Sequence, residues 1–115
     1  MTALARRYQR PVTIAYLDID NFKAVNDGLG HLRGDQLLCE LAAELRKELR
    51  HSDFAARFGG DEFVVCLPET GAVAAHTVLN RIFASLNDVM PTTPKDVSVS
   101  IGAVAWAQLP DSAQA

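Results

Sequence analysis

The 115-residue chain lacks any apolar run approaching the ~18 residues of a transmembrane helix. Its basic first ten residues have no apolar stretch of the kind found in a secretion signal. Cysteine is scarce: Cys39 and Cys66 lie far apart in apolar segments. This usage predicts two buried thiols in a reducing compartment rather than a disulfide or a zinc site. Together these absences indicate a cytoplasmic domain, which a longer parent protein could still anchor to a membrane.

Positive charge is also limited, with 11 Lys and Arg against 14 Asp and Glu and a net charge of −3. Without a basic block the chain is a poor partner for a nucleic-acid polymer. A mononucleotide needs only local charge and is not excluded. What the chain does have is 49% hydrophobic residues, enough for the core of a single small domain.

The apolar periodicity predicts the element order β-α-α-β-β-α-β. The residues before Pro11 resemble a helix end, Pro91 and Pro94 mark a loop, and the tail from Gln108 is expected to fray. The predicted elements are a strand over Val12–Leu17 that ends at Asp18-Ile19-Asp20, a helix over Asn21–Asn26 that ends at a glycine break over 28–30, a helix over Asp35–Arg50, hairpin strands over Asp53–Phe58 and Glu62–Leu67, a helix over Ala72–Val89, and a strand over Val97–Trp106.

This order predicts an α+β fold with a mixed sheet of the ferredoxin-like or nucleotide-cyclase palm-like class, with helices packed against the sheet. Right-handed crossovers would place the end of the first strand beside the central hairpin. We therefore expect Asp18 to lie close to Asp61 and Glu62, more than forty positions away in the sequence.

The hairpin tip Gly59-Gly60-Asp61-Glu62 combines two glycines with two carboxylates. Glycines allow positive φ and close approach of a ligand to the backbone. Adjacent carboxylates on a tight turn favour a hard cation such as Mg²⁺, which commonly accompanies nucleotide phosphates. Asp18 converging on the same tip would repel these acids unless a cation lay between them. For either motif alone, an Asx-turn at Asp18 or a solvated turn at Asp61-Glu62 stays open.

Several ordered motifs resemble the GGDEF domain of diguanylate cyclases, over most of Val12–Gly102. The matching segments are Leu17–Lys23, Asn26-Asp27, Gly30-His31, Gly34-Asp35, Arg57–Phe63 and Ser98–Gly102. The resemblance implies an enzyme that condenses two GTP into cyclic di-GMP and releases pyrophosphate. Each 3′-oxygen would attack the α-phosphorus of the other GTP, so catalysis needs a homodimer. A full-length parent would add a sensory domain.

The resemblance also implies the roles of the acidic residues. Asp18, the Ile19 carbonyl and Asp61 would hold Mg²⁺ or Mn²⁺. Asp61 and Glu62 would be catalytic, with Asp61 aiding deprotonation of the attacking 3′-hydroxyl.

For the substrate, the resemblance places Asn26 and Asp35 on guanine with His31 nearby. A carboxylate can accept from the guanine N1–H and N2–H₂ pair, whereas adenine presents the wrong pattern. Asp35 would equally suit a helix N-cap, and His31 could simply brace the turn. Backbone N–H groups at Phe22 and Lys23 would bind phosphate, with the Lys23 charge adding attraction. The alternative for Lys23 is an exposed surface lysine.

The segment Arg50-His51-Ser52-Asp53 is an R-x-x-D motif just before the hairpin. In this family it resembles an inhibitory site for the product cyclic di-GMP. Arg81 matches a further arginine that in some members completes this site across a dimer. Arg can fork onto a phosphate or a guanine edge. The alternative is a favourable Arg at a helix C-terminus and an ordinary Asp before a strand.

The chain departs from the family at both ends. We expect a single GGDEF-like domain over residues 1–115 that lacks the family's usual C-terminal helix and last strand. This motivates an alternative function: a catalytically weak or inactive module that binds cyclic di-GMP or GTP. A palm-like enzyme acting on another nucleotide is a third possibility, which the Asn26 and Asp35 pair argues against.

Overall fold

A computed structural model describes residues 10–90 and 97–106. The loop predicted at Pro91 and Pro94, the polar tail from Gln108 and nearly all of the predicted N-terminal helix end lie outside these residues. The observed elements are β1 (Val12–Asp20), α1 (Phe22–Leu29), α2 (His31–Glu48), β2 (Phe54–Arg57), β3 (Glu62–Pro68), α3 (Ala72–Asp88) and β4 (Ser98–Trp106). The predicted order of elements is confirmed.

The four strands form one sheet in the order β2-β3-β1-β4. Every neighbouring pair is antiparallel, so the α+β fold of the predicted class is confirmed but its sheet is not mixed. The reason lies in the crossovers. The helical connections join β1 to β2 and β3 to β4, and each skips one strand position. Strands that run parallel are therefore never neighbours.

One face of the sheet carries the core. Alternate residues of β1 are buried, namely Thr13, Ala15, Leu17 and Ile19, as the two-residue period of a strand requires. β3 follows the same alternation. Helices α2 and α3 cover this face with a shared set of buried side chains, which includes Leu37, Leu38, Leu41, Leu45, Ile82 and Leu86. The core therefore fixes the strands from one side and leaves the other available.

The opposite face of the sheet is partly open among the described residues. Register places Val64 and Gly102 on either side of Tyr16, whose side chain is 48% exposed. Phe58 stands edge-on to Tyr16, with ring centroids 5.8 Å apart. No helix in the described ranges is both long and apolar enough to cross a membrane.

The largest differences from the predicted boundaries lie around α1 and α2. β1 ends at Asp20, within the predicted end, but α1 runs to Leu29 through the predicted glycine break. α2 begins at His31, four residues before the predicted start. Gly30, with φ of 89°, is the one residue that separates the two helices.

The prediction of two buried thiols is wrong. Cys39 is exposed and Cys66 is only half-buried. Cys39 lies on the helix face away from the buried leucines of α2, and Cys66 lies on the open face of β3. An apolar neighbourhood in sequence does not bury a residue whose position in the period points outward.

Candidate active site

The predicted meeting of Asp18 with the hairpin is confirmed. Asp18 in β1 is the cross-strand neighbour of Glu62 in β3, which places both side chains on the open face. The backbone N–H of Ile19 donates to the Asp61 carbonyl oxygen at 3.1 Å. We call Asp18, Asp61 and Glu62 the acid edge. Asp18 and Glu62 face each other on neighbouring strands, and Asp61 precedes β3 in the hairpin turn.

The hairpin turn is shaped by close contacts rather than by left-handed backbone. Neither Gly59 nor Gly60 has a positive φ, so the conformational freedom that glycine allows is not used there. A Cβ at Gly59 would lie 2.5 Å from Glu62 Oε1, so a larger residue would displace the end of the Glu62 side chain. Arg57 holds the turn by donating to the carbonyl oxygens of Gly59, at 3.2 Å, and Gly60, at 2.8 Å. The glycine thus makes room for Glu62 itself.

The donor chemistry of the acid edge fits Mg²⁺, since its groups are all oxygen ligands. The described residues contain no preformed cluster of three or more His, Cys, Asp or Glu side chains arranged for a metal. Mg²⁺ often takes only one or two carboxylates and completes its shell with water and substrate phosphates. A partial protein shell is therefore compatible with a metal that arrives together with a nucleotide.

A fourth carboxylate, that of Asp20, lies near the acid edge and was not predicted as a site residue. Asp20 Oδ2 accepts hydrogen bonds from the Ser98 hydroxyl at 2.8 Å and the Ser100 hydroxyl at 2.6 Å. Strand alternation puts Asp20 on the same face as Asp18, and that period was the available signal. Asp20 thus ties the end of β1 to β4.

The residues predicted to bind phosphate follow immediately after β1. Asn21 adopts left-handed backbone, with φ of 59°, and turns the chain into α1. Phe22 and Lys23 are the first residues of α1, where backbone N–H groups have no intrahelical acceptor. The Lys23 ammonium lies 3.4 Å from Asp27 and is 91% exposed. The predicted phosphate ligands therefore stand at an open helix start beside the acid edge.

The residues predicted to bind the base, Asn26, His31 and Asp35, lie on α1 and α2, which pack against each other. The buried Gly34 faces the Asn26 amide so closely that a Cβ there would collide with Asn26 Oδ1 and lie 3.3 Å from the Phe22 ring. Asp35 follows Gly34 directly in α2 and is exposed. His31 opens α2 and is exposed. The N-cap alternative for Asp35 is wrong, because Asp35 is the fifth residue of the helix.

The R-x-x-D motif forms a closed network. Arg50 donates to both carboxylate oxygens of Asp53, from Nε at 3.1 Å and from an Nη atom at 2.8 Å. The same Nη atom reaches the Pro68 carbonyl at 3.0 Å and the Thr70 hydroxyl at 2.7 Å. Thr70 in turn accepts at its carbonyl from Thr13 Oγ1 of β1, at 2.8 Å. The motif is therefore fastened to the sheet.

Electrostatics agrees with this geometry. The Asp53 side chain is 2% exposed. Burial acts to raise the pKa of Asp53, but hydrogen bonds and the charge of Arg50 outweigh burial and hold that pKa below its usual range. The hydrogen bond to Asp53 and its charge raise the pKa of Arg50. Both groups stay ionised near neutral pH.

Arg81 does not contact this network. Its guanidinium donates to Glu48 Oε1 at 2.7 Å and to the Glu48 carbonyl at 3.1 Å. Ser85 donates to the other carboxylate oxygen of Glu48 at 3.1 Å. Arg81 thus joins α3 to the end of α2.

Comparison with known proteins bears on these sites. The family described as diguanylate cyclase, GGDEF domain, matches residues 1–115. Among curated relatives, the diguanylate cyclase DgcP of Pseudomonas aeruginosa is 51% identical over 72% of this chain, which covers 13% of that protein. The probable diguanylate cyclase DgcC of Escherichia coli is 41% identical over 84% of this chain and 27% of that protein. The chain thus spans about a quarter or less of these relatives.

Solved structures are similar in fold as well. The diguanylate cyclase SiaD of Pseudomonas aeruginosa, solved with its activator SiaC, has a TM-score of 0.80 and 35% identity over 96% of this chain and 44% of that chain. The GGDEF domain of DgcB from Caulobacter crescentus, solved with c-di-GMP, has a TM-score of 0.77 and 31% identity over 90% of this chain and 64% of that chain.

Proposed function

This chain belongs to the GGDEF family of diguanylate cyclase domains, and we propose that it condenses two GTP molecules into cyclic di-GMP with release of pyrophosphate. The observation that carries the proposal is the acid edge, which lies beside the open start of α1 and the corner between α1 and α2. Carboxylates, helix N–H groups and a polar helix corner match the metal, the phosphates and the base of one nucleotide.

Asp18, the Ile19 carbonyl and Asp61 would hold Mg²⁺ or Mn²⁺ in this proposal. When bound, the metal supplies charge stabilisation to the triphosphate and the attacking 3′-hydroxyl. Asp61 would help to deprotonate that hydroxyl, and Glu62 would act beside it. The sheet supports these roles, because it holds Asp18 opposite Glu62 and anchors the Asp61 backbone to β1.

The chain's own residues would orient the nucleotide. Backbone N–H groups of Phe22 and Lys23 would bind phosphate at the start of α1. Asn26 and Asp35, with His31 nearby, would read guanine. The close packing of Asn26 on Gly34 supports this role, since it holds the Asn26 amide against the residue that precedes Asp35.

Two domains are required for the reaction. One domain offers one nucleotide site, whereas the product contains two guanylates joined through two new bonds. We therefore propose a twofold homodimer that brings two bound GTP molecules face to face. A sensory domain in a longer parent would control this encounter.

Product would inhibit the enzyme through Arg50 and Asp53. Their preformed pair supports a binding site for a guanine edge or a phosphate, since the buried Asp53 carboxylate orients an Arg50 side chain that is itself 54% exposed. Arg81 completing the site across a dimer stays a prediction.

Incubation with GTP and Mg²⁺ at high protein concentration tests the enzymatic proposal directly. High concentration is used because mass action favours the proposed dimer. We expect cyclic di-GMP and pyrophosphate from GTP and no product from ATP. Equal turnover of ATP would contradict the role of Asn26 and Asp35 and would favour a palm-like enzyme for another nucleotide.

The preformed Arg50–Asp53 pair also favours a second candidate, a binding module without turnover. Calorimetry with cyclic di-GMP and with GTP separates the two candidates. Binding of cyclic di-GMP by a chain that produces none would support the module, and product formation would support the enzyme.

A further inference from the structure

A groove of about 400 Å³ lies between the end of α2 and the start of β2. Its lining includes Arg46, Arg50, His51, Asp53 and Phe54. The groove therefore contains both members of the R-x-x-D motif, together with a second arginine that the motif does not include.

The arginines near this groove differ in how far the fold already occupies them. Arg50 donates to Asp53, Pro68 and Thr70. Arg81 is held by Glu48 and does not line the groove. The exposed Arg46 side chain has no hydrogen bond or ion pair to any part of the chain that the structure describes. Among these three guanidinium groups, Arg46 alone is unengaged.

We propose that Arg46 is the second cationic ligand of this groove and binds a phosphate of a cyclic dinucleotide seated on Arg50 and Asp53. The inference rests on the proposed product site and adds to it a residue outside the motif. A ligand with two phosphates and two purines needs more than one cation. Arg46 offers a planar fork suited to phosphate oxygens, at no cost in broken ion pairs.

The remainder of the groove suits the same ligand. Phe54 is 61% exposed and offers an aromatic face on which a purine can stack. Asp53 is the only acidic residue in the lining, and Arg50 already neutralises it. The groove is therefore cationic on balance, as an anionic ligand requires.

Titration calorimetry of the full chain with cyclic di-GMP tests the assignment. We expect Arg46→Ala to raise Kd by about tenfold or more, since it removes charged hydrogen bonds to the ligand. Arg46→Lys should fall between Arg46→Ala and the unaltered chain, because it keeps the charge but loses the fork. Lys47→Ala is the matched control, because Lys47 is adjacent and exposed but pairs with Glu44 outside the groove.

The possible outcomes separate the two proposals. If Arg46→Ala binds as tightly as Lys47→Ala while Arg50→Ala binds weakly, the Arg46 assignment is overturned and the product site survives. If the unaltered chain does not bind, or Arg50→Ala has no effect, the product site fails and Arg46 with it. Circular dichroism melts of each variant exclude unfolding as the cause of weak binding.

Discussion

The acid edge and the Arg50–Asp53 pair hold their charges in opposite ways. No ion pair within the described residues reaches Asp18, Asp61 or Glu62, although the sheet pairs Asp18 with Glu62 and bonds the Asp61 backbone to β1. Asp53, by contrast, is buried and takes two hydrogen bonds from the Arg50 side chain and one from its backbone N–H. The carboxylates of the acid edge have no charged partner in the part of the fold that the structure describes, whereas the charges of Arg50 and Asp53 are paired with each other.

This difference predicts that the acid edge affects activity more than stability and that the Arg50–Asp53 pair affects stability. A carboxylate without a protein partner contributes little to folding and can lose its charge without unfolding the chain. A buried carboxylate in a hydrogen-bonded pair supports the fold, so removing it costs stability whatever its role in binding. Substitutions in the two regions should therefore affect different measurements.

Asp61→Asn provides the largest expected effect. The change removes a proposed metal ligand, and the loss of several kcal/mol of charge stabilisation would reduce turnover of GTP by about 10³-fold. The unfolding free energy should change by less than about 0.5 kcal/mol. Product assays and urea unfolding give the two measurements, with the exposed Asp88→Asn as the control.

Full activity of Asp61→Asn with Mg²⁺ would contradict its assignment as a metal ligand. A large loss of stability would instead show that the acid edge supports the fold, and would remove the contrast with Arg50 and Asp53.

Gly34→Ala is expected to have the next largest effect. It tests whether the proposed nucleotide site depends on the packing of α1 against α2. The new methyl group would collide with the Asn26 amide and crowd the Phe22 ring, so the Asn26 side chain must rotate or α1 must shift on α2. We expect a loss of about 1–3 kcal/mol in stability and a raised KM for GTP. Gly102→Ala is the control, because a Cβ at Gly102 meets nothing within 4 Å.

Unchanged stability and KM in Gly34→Ala would mean that Asn26 and Gly34 pack loosely. The whole proposed nucleotide site would then resemble the acid edge in contributing little to stability, unlike the region around Arg50.

Sequence periodicity was sufficient to predict the order of helices and strands. That order, with right-handed crossovers, predicted that Asp18 lies near the hairpin. The same periods could also have placed Cys39 and Cys66 correctly, because each lies out of phase with its buried neighbours. The mistake came from the average polarity of a segment, whereas burial depends on the position of a residue in the period.

The start of α2 could not be predicted in the same way. Gly34 resembles a helix breaker on intrinsic propensity, yet it lies inside the helix because α1 packs against it. Arg46 and the Thr13–Thr70 bond were missed for a related reason. Their roles depend on segments that are distant in sequence and meet only in the folded chain.

Asp53→Asn tests the Arg50–Asp53 pair, and its expected effect is smaller. The pKa of Asp53 lies below its usual range, so the ionised carboxylate stabilises the fold above the unfolded pKa of about 4 and this contribution is lost as pH falls through the folded pKa. We expect the variant to lose about 1–2 kcal/mol near pH 7, and this difference to shrink below about pH 4. Urea unfolding across pH measures both.

Asp27→Asn is the control, since its partner Lys23 is exposed and the pair should contribute less than about 0.5 kcal/mol. A loss in Asp53→Asn that is the same at low and neutral pH would indicate altered packing rather than a lost charge.

Thiol labelling provides the smallest expected effect and reports on the sheet beside Arg50 and Asp53. Cys66 is the cross-strand neighbour of Phe54, and burial, followed by the charge of Asp53, raises the pKa of its thiol. Because the thiolate is the reactive form, the exposed Cys39 should alkylate several-fold faster at about pH 8. Peptide mass spectrometry gives both rates from one sample, and in denaturant they should converge. Equal rates in the folded chain would show that β3 opens readily beside Asp53, and the firm attachment of that region to the fold would then be wrong.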